Sequence, residues 1–491
     1  MNAERIKKLN RMFAPRGVAV FGGVAKPGAF ANMILTSLIA YGYSGRLYPV
    51  SRSGGTVAGL SVLPDLDAVD GPVDLAAISV PAEAVPDVLA HCLEHGVTGA
   101  QIHTSGFAET GLAAGIRLQE KIEAIARQGL VVVGPNCFGL HSPAGGVTLL
   151  PGFDFSKTPG DIAMISQSGG IANDFGHDAV AAGLNISKII SFGNGCDLEA
   201  VSLMEYLAQD SDTRFIAAYL EGVRDGRRFL ETVRAVTREK PVVIWKGGLT
   251  PLGARATMSH TGSLGGEAAI WQGTLDQAGA IQVSGLDEMV DTLIALSYLN
   301  RRGGRLALAG GGGAIGVFSS DLAHRWGLDM PAFSAETQKI LAAYFPTPGN
   351  SAVNPLDTGT PMFPVEGLCG MIREILTREP VDVLLLIMLM HPLEVVTTSF
   401  MKMAGVNVES SPAEDYLSRL LPVLTGIREE TGKDIALVLE NKTWRLEDIN
   451  VELIKRRVSA RYQQQGLAVF PSVERALRGI RNAALFRQCR Q

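Results

Sequence analysis

Two hydroxyl side chains and two glycines stand together in the segment SQSGG, residues 166–170. An apolar run precedes this segment and a helical pattern follows it, so Ser168, Gly169 and Gly170 are predicted to lie where a helix begins. Backbone N–H groups and the positive end of the helix dipole converge at such a point, which favours an anion such as phosphate. An ordinary N-cap, in which Ser168 satisfies one unpaired amide, explains the same residues equally well.

Two more residues have chemistry that their local surroundings do not explain. His260 lies between a serine and a threonine in ATMSHTGSLGG (Ala256–Gly266), a glycine-flanked stretch that predicts a loop. Glu221 ends the apolar run of RFIAAYLEG. Taken alone, the histidine is a capping or loop residue and the glutamate is a solvent-exposed acid at a strand end.

A glycine turn and a cation near the amino terminus indicate a second kind of ligand. The stretch GVAVFGGVAKPG begins near Gly17 and its glycine turn follows the apolar run, whereas Arg52 follows the next apolar run, in RLYPVSRSGG. A nicotinamide-binding domain places a carboxylate at that second position, to bind the ribose hydroxyl. A cation suits a ligand with an extra phosphate, such as NADP or coenzyme A. The glycine turns match neither G-x-G-x-x-G nor a P-loop, which disfavours a nucleotide-hydrolysing domain.

Composition excludes several classes of protein. The chain has 491 residues and a formal net charge of -5, so it lacks the basic surface of a nucleic-acid-binding protein. No apolar run reaches the ~18 residues that a membrane helix needs. The charged N-terminus lacks the apolar core of a signal peptide, and we therefore expect a cytoplasmic protein without a membrane partner.

The cysteines and histidines do not indicate a metal site. The five cysteines are scattered and form no C-x-x-C pair, which argues against disulfides and a zinc site. His91, His95 and His103 lack a spacing such as H-E-x-x-H, so structural or surface roles are expected for them. No metal ligand is predicted in this chain.

One local pattern occurs three times and predicts the architecture. Apolar, β-branched runs that end in glycine-rich turns and lead into helices begin near Gly17, Gly160 and Gly304. Strands that alternate with helices in this way imply parallel, doubly wound α/β sheets. The pattern restarts after two Pro/Gly-rich or basic connectors, and we expect three domains at 1–145, 146–301 and 302–491.

Six motifs in fixed order resemble those of a known family. They are GPNCFGL, SQSGG, YLEGVRDGRRF, PVVIWKGG, SHTGSLGG and, in the third section, NPLDTG. The set resembles the NDP-forming acyl-CoA synthetases, which are relatives of the succinyl-CoA ligase α subunit. The resemblance implies a Rossmann-like CoA-binding domain followed by two flavodoxin-like domains. It also implies a ligase that joins a small carboxylic acid to coenzyme A with ATP, through an acyl phosphate and a phosphohistidine.

The resemblance assigns roles to the residues that composition left open. His260 matches the phosphorylated histidine, and neutral imidazole is nucleophilic near pH 7. Glu221 matches the acid that binds the imidazole and so fixes its tautomer. Ser168, Gly169 and Gly170 match the helix start that holds the phosphoryl group.

The first section resembles the CoA-binding domain of the family. Its glycine turn is expected to meet the CoA diphosphate, and Ser51 and Arg52 replace the Asn-Pro-Lys that the family often has. Asn136 is expected near the acyl–thiol junction. The residues that the resemblance assigns to CoA are Gly22, Gly23, Lys26, Pro27, Ser51, Arg52, Val80, Pro81, Ser105, Gly106 and Asn136.

No stretch of the sequence resembles an ATP-grasp domain. We therefore expect an α-type subunit in an oligomer, with ATP or ADP and Mg²⁺ bound mainly by a separate ATP-grasp, β-type subunit. Two alternatives stay open at this point: a CoA-binding regulatory protein of the same fold, and an NADP-dependent oxidoreductase.

Overall fold

The structure is a computed structural model that describes residues 1–152, 155–261, 267–300, 303–345, 350–360, 362–442 and 445–488, with only the backbone of residues 257–261. The chain divides into two compact units, Met1–Met289 and Val290–Gln491. Among the described residues, the first unit holds one parallel sheet, one mainly parallel sheet and a two-stranded hairpin, and the second unit holds one parallel sheet.

The first sheet of the amino-terminal unit is parallel throughout, in the order β2-β1-β5-β6-β7, and a β3-β4 hairpin lies beside it. Its strands are β1 (Gly17–Gly22), β2 (Arg46–Val50), β3 (Thr56–Val57), β4 (Leu60–Ser61), β5 (Leu75–Ser79), β6 (Gly99–Ile102) and β7 (Val131–Val133). Its helices are α1 (Ala3–Phe13), α2 (Phe30–Tyr41), α3 (Val85–Glu94) and α4 (Ala113–Ala126).

Strand β1 shows why this sheet is covered on both faces. Val18 and Val20 belong to one buried apolar cluster, whereas Ala19 and Phe21 belong to another. Because successive side chains of a strand point to opposite faces, both faces of β1 are buried. The continuous apolar run of the sequence is therefore explained by burial on two sides.

The second sheet is formed by strands in the order β14-β13-β12-β10-β11-β8-β9, of which β8 and β9 are antiparallel. Its strands are β8 (Leu140–Ser142), β9 (Val147–Thr148), β10 (Pro159–Ser166), β11 (Ile186–Ser191), β12 (Phe215–Leu220), β13 (Val242–Lys246) and β14 (Ile281–Val283). The helices that follow these strands are α5 (Gly169–Ala181), α6 (Ala200–Gln209), α7 (Gly226–Thr237), α8 (Pro251–Thr261), α9 (Ala268–Ala278) and α10 (Leu286–Tyr298).

The carboxyl-terminal unit contains a parallel sheet in the order β15-β16-β17-β18. Its strands are β15 (Leu306–Gly310), β16 (Val383–Leu389), β17 (Asp434–Glu440) and β18 (Ala468–Phe470). Its helices are α11 (Gly313–Arg325), α12 (Ala335–Ala342), α13 (Val365–Arg378), α14 (Thr397–Met403), α15 (Pro412–Thr431), α16 (Ile449–Gln464) and α17 (Val473–Gln488).

All three sheets share one strand order, which confirms the doubly wound α/β prediction. Leu356 pairs in parallel with Ala309 of β15, on the side away from β16. When the short hairpin and the antiparallel strands are left aside, each sheet therefore runs 2-1-3-4-5 in its own chain order. Ligands of such sheets bind where the order reverses, beyond the carboxyl ends of strands 1 and 3.

The connection between the first two sheets contains a short antiparallel pair of strands. The expected limit at residue 145 falls between β8 and β9, and these two strands pair with each other. β8 also pairs with β11, so both strands belong to the second sheet.

None of the helices in the described part of the chain combines the length and the apolar character that a membrane span requires.

Candidate functional site

The glycine turn after β1 depends on close contact between backbones. Gly22 has a φ of 136°, and a Cβ there would lie 2.3 Å from the carbonyl oxygen of Ser79, at the end of β5. Backbone hydrogen bonds then close the turn, from the N–H of Val24 to Gly22 (2.8 Å) and from the N–H of Lys26 to Gly23 (3.0 Å). Only glycine at position 22 allows the turn from β1 to α2 to pass this close to the end of β5.

A cleft of about 620 Å³ opens beyond the carboxyl ends of β1, β2 and β5. This is the switch point of the first sheet, where a ligand is expected. Six of the residues that the sequence assigned to CoA line the cleft: Gly22, Gly23, Ser51, Arg52, Val80 and Pro81. Lys26 and Pro27 are exposed in the turn that follows Gly23, next to this lining.

The other three residues assigned to CoA lie further along the same sheet. Ser105 is exposed in the loop after β6, and the N–H of Gly106 donates to Oε1 of Glu109 at 2.6 Å. The amide of Asn136 donates to Oδ1 of Asn194 at 3.4 Å. The cleft lining does not include these three residues. Glu109 and Asn194, the hydrogen-bond partners of Gly106 and Asn136, line a second and more polar cavity.

The second cavity, of about 270 Å³, lies where the two sheets of the first unit meet. Asn194 lines this cavity, and its amide donates to Oε2 of Glu109 at 2.5 Å and to Oε1 of Gln119 at 3.0 Å. Gln167 and Arg224 also line the cavity. It therefore lies between the loop that contains Ser105 and Gly106 and the SQSGG segment at the end of β10. We call residues 166–170 the anion segment.

Backbone pairing between residues 132–136 and 192–198 joins the ends of β7 and β11. The N–H groups of Asn194, Cys196 and Leu198 donate to the carbonyls of Pro135, Gly134 and Val132. Asp197 accepts from the N–H of Val132 at 2.9 Å and from the guanidinium of Arg5 at 2.6 Å. We call this pairing the seam.

The anion segment forms a capped helix start, as the sequence predicts. Ser168 is the N-cap of α5, and its hydroxyl accepts from the N–H of Ile171 at 3.4 Å. The first N–H groups of α5, at Gly169 and Gly170, have no partner within the helix because of their position. A Cβ at Gly169 would lie 2.4 Å from the Phe138 ring, whereas Gly170 is exposed. The structure thus shows the capping role of Ser168 and leaves adjacent N–H groups available to an anion.

Glu221 is not the solvent-exposed acid that local sequence suggested. It is 5% exposed, and its Oε1 accepts from the hydroxyl of Tyr219 at 3.2 Å. Oε2 is buried and is without a hydrogen-bond donor among the described residues. The Gln167 side chain accepts from the N–H groups of both Glu221 and Gly222, so the anion segment and Glu221 are directly connected.

Lys246 is a buried base close to this carboxylate. It ends β13, in register with Leu220 of β12, and its ammonium lies 4.9 Å from the centre of the Trp271 ring. Burial lowers the pKa of Lys246 to about 8, although the charge of Glu221 acts in the opposite direction. Its amine donates to the carbonyl of Gly247.

The segment that contains His260 is helical where a loop was expected. Helix α8 is Pro251–Thr261 and so includes position 260, and it packs against the 3₁₀ turn Ala108–Thr110. The side chain of His260 and the whole of residues 262–266 lie outside the described residues. The loop prediction was therefore wrong for the first half of the segment, residues 256–261, which contains no glycine.

Sequence reasoning missed several polar residues of the two cavities. Asp65, Asp87 and His91 line the first cleft, and Glu109, Gln119 and Asn194 line the second. The first three come from a loop and a helix that no binding motif marks. For Asp87 and His91 the spacing of one helical turn is a signal that was present in the sequence.

Two family models match the chain. A CoA binding domain matches residues 16–143, and a succinyl-CoA ligase like flavodoxin domain matches residues 159–296. These ranges contain the first cleft and the anion segment, respectively.

Relatives and a solved structure extend this match. The α subunit of ADP-forming acetate–CoA ligase I from Pyrococcus furiosus is 36% identical over 377 residues, which are 75% of this chain and 80% of that subunit. ADP-forming acetate–CoA ligase I from Archaeoglobus fulgidus is 34% identical over 353 residues, 71% of this chain and 50% of that protein. A structure of acetyl-coenzyme A synthetase 1 from Ca. Korarchaeum cryptofilum, with phosphate and ADP, matches with a TM-score of 0.79 at 27% identity and covers 98% of this chain and 97% of that chain.

The fold and these matches define the class of protein: an acid–thiol ligase that forms an acyl-CoA. Within that class, the chain belongs to the family of ADP-forming acyl-CoA ligases and is related to their α subunits. The family expected from the ordered motifs is thereby confirmed.

The glycine turn generates a first prediction. Replacing Gly22 with alanine forces a Cβ against the Ser79 carbonyl, at a φ that alanine disfavours, and should lower the free energy of unfolding by about 1–3 kcal/mol. Urea unfolding measures this change. Gly273, inside α9 with open space around it, is the matched control, and Gly273→Ala should stabilise the protein by about 0.5–1 kcal/mol. Equal stability of Gly22→Ala and wild type would refute the close approach.

A buried histidine near the seam generates a pH prediction. Burial lowers the pKa of His103 to about 4, and its ring nitrogen lies 3.2 Å from the Cys137 carbonyl. As pH falls below about 6.5, His103 binds a proton in the unfolded chain but not yet in the folded chain. The stability that neutral His103 contributes is therefore present above pH 6.5 and is lost as pH falls towards 4. His103→Gln should flatten this loss by up to about 1.4 kcal/mol per pH unit.

The measurement is urea unfolding at pH values between 7 and 4.5. His324, exposed on α11, provides the control, because His324→Gln should keep the wild-type slope. The same slope in His103→Gln and wild type would contradict the buried, neutral state of His103.

Proposed function

We propose that this chain binds coenzyme A and carries the phosphoryl group in an ADP-forming acyl-CoA ligase, with His260 as the carrier. One observation supports this proposal most strongly. Glu221 has a buried carboxylate oxygen that accepts from no donor in the described part of the chain, next to a helix start whose first N–H groups are available. A phosphorylated imidazole fits both features, because its ring N–H needs an acceptor and its phosphoryl oxygens need donors.

The proposed reaction consists of three transfers. An imidazole nitrogen of His260 attacks the γ-phosphorus of ATP, and ADP leaves. A carboxylate oxygen of the acid then attacks the phosphorus of phosphohistidine, which gives an acyl phosphate and free His260. Finally the thiolate of CoA attacks the acyl carbonyl carbon, and inorganic phosphate leaves.

The residues near Glu221 have separate roles in this scheme. Glu221 accepts from one ring nitrogen and so leaves the lone pair of the other nitrogen directed at phosphorus. The N–H groups of Gly169 and Gly170, together with the dipole of α5, stabilise the negative charge on the transferred group. Ser168 fixes the backbone that presents them, through its cap on Ile171.

The cleft of the first sheet is the proposed CoA site. Its backbone turn at Gly22 and Gly23 would approach the diphosphate, and Arg52 would pair with a phosphate of the ligand. Val80 and Pro81 supply apolar wall for the adenine or pantetheine. Ser105, Gly106 and Asn136 lie beyond this cleft, beside the second cavity, which suits contacts with the thiol end of the same molecule.

We infer that ATP and Mg²⁺ bind to a separate ATP-grasp subunit. Two relatives support this: the chain covers 80% of an α subunit from Pyrococcus furiosus but half of the ligase from Archaeoglobus fulgidus. An oligomer with a β-type partner would then bring the nucleotide to His260.

The three-domain division at residues 145 and 301 and a cytoplasmic location stay predictions of the sequence.

Ligand-dependent unfolding tests the CoA site. CoA at 100 times its Kd should stabilise the protein by about 2.7 kcal/mol, measured as a rise in Tm, whereas NADPH should not. Arg52→Ala should weaken CoA binding by roughly 10- to 100-fold, as expected for the loss of one charge-assisted hydrogen bond. Arg214 is the control, because it lies at the amino end of β12 and pairs with Asp161. Stabilisation by NADPH alone would replace this proposal with an oxidoreductase.

Phosphorylation tests the carrier. The chain, mixed with acyl-CoA and labelled phosphate, should acquire an acid-labile label that His260→Ala abolishes. Glu221→Gln should lower the rate of labelling by about 10²-fold or more, because it perturbs the imidazole tautomer. Glu231→Gln, on the exposed face of α7, should label normally. An acid-stable label, or one that persists in His260→Ala, would overturn the mechanism. Co-purification with an ATP-grasp protein is a separate test of the proposed partner.

A further inference from the structure

Three side chains outside the proposed reaction converge at the edge of the first cleft. His91 is in the last turn of α3, His95 is the C-cap of that helix, and Asp67 reaches them from the loop before β5. Oδ1 of Asp67 lies 2.8 Å from Nε2 of His95 and 3.5 Å from Nε2 of His91. The ligand atoms of all three residues lie within 4.8 Å of one another.

Backbone contact fixes the tautomer of one imidazole. Nδ1 of His95 lies 2.9 Å from the carbonyl of His91, which can only accept, so this nitrogen carries the proton. In neutral His95 the lone pair of Nε2 therefore faces the Asp67 carboxylate. Metal-binding histidines are commonly held in this way, with one nitrogen on a backbone carbonyl and the other on the ion.

Either protons or one cation can hold these three groups together. Nε2 of His91 is directed at the same carboxylate oxygen as Nε2 of His95. Because protonating both rings would place two positive charges on rings whose centres are 4.2 Å apart, the arrangement with protons pairs a charged His95 with a neutral His91 whose Nε2–H donates to Asp67. A single divalent ion accepts the lone pairs of both imidazoles and of the carboxylate at once.

We propose that Asp67, His91 and His95 bind a divalent transition-metal ion of the Zn²⁺ class. Tetrahedral ligands about 2.0–2.2 Å from the metal lie about 3.4 Å from one another, close to the spacing of His91 and Asp67. Asp67 is 72% exposed and can move by the roughly 0.6 Å that lengthens its 2.8 Å distance from His95 to this spacing. Two imidazoles and one carboxylate favour Zn²⁺, Co²⁺ or Ni²⁺ over Mg²⁺ and Ca²⁺.

The position of the site suggests a link with the cleft. His91 belongs both to the cluster and to the cleft wall, and Asp87, one turn earlier on α3, lies in the same wall. An ion held there adds positive charge at the rim of a cleft that already contains Arg52. The metal site stands without the proposed ligase reaction, since its residues take no part in phosphoryl transfer.

Metal titration of the full chain, without a polyhistidine tag and after chelator treatment, tests the site. Co²⁺ should bind one to one with a visible d–d absorption band, and Zn²⁺ should displace it, whereas Mg²⁺ should not. His95→Ala and Asp67→Asn should each weaken Zn²⁺ binding by at least about tenfold. All three residues are partly or largely exposed, so these variants should keep the wild-type Tm.

His324→Ala, which removes an exposed histidine from α11, should bind Zn²⁺ as wild type does. Failure of Zn²⁺ and Co²⁺ to bind at micromolar to millimolar concentration would overturn the site in favour of a protonated His95–Asp67 pair. Binding that survives both substitutions would place the ion elsewhere and would overturn it equally. Loss of the metal with normal phosphorylation of His260 would leave the ligase proposal intact.

Discussion

The seam between residues 132–136 and 192–198 is the constraint on which the rest of the first unit depends. It pairs the backbone that leaves β7 with the backbone that leaves β11, so two independently wound sheets share one boundary. Gly193 shows how close this boundary is, because a Cβ there would lie 2.2 Å from the Asn136 carbonyl. Through the seam, the second cavity acquires walls from both sheets, and the CoA-type cleft and the anion segment belong to a single compact unit.

Repetition of one strand order gives this unit its division of labour. In each of its sheets the first strand lies between the second and the third, and the turn after that strand is glycine-rich. In the first sheet the turn borders a broad cleft that is largely apolar with a cation at its edge. In the second it begins a capped helix beside a buried carboxylate. The same topology thus surrounds two sites of different chemical character, and the side chains around the turn make the difference.

Features that depend on a few adjacent residues were predicted from the sequence, whereas features that depend on contacts between distant residues were not. Glycine at the end of β1 and serine before α5 are signals that a few residues carry on their own, so both turns were predicted from the sequence. The burial of Glu221 was not, because it depends on Tyr219 and on Gln167 from a neighbouring strand. The membership of β8 in the second sheet depends likewise on antiparallel pairing with β11. Asp67 escaped notice because it meets His91 and His95 only in the folded chain.

The open oxygen of Glu221 has a thermodynamic consequence. A carboxylate oxygen that is removed from water without a donor raises the free energy of the protein as it stands. Among the described residues, the nearby donors are directed elsewhere: Tyr219 donates to the other oxygen, and Lys246 donates to the Gly247 carbonyl. An N–H group that reaches Oε2 therefore gains free energy that was lost when the protein folded. Part of the affinity for such a group therefore comes from an acceptor that folding has already dehydrated, and not from surface that binding newly buries.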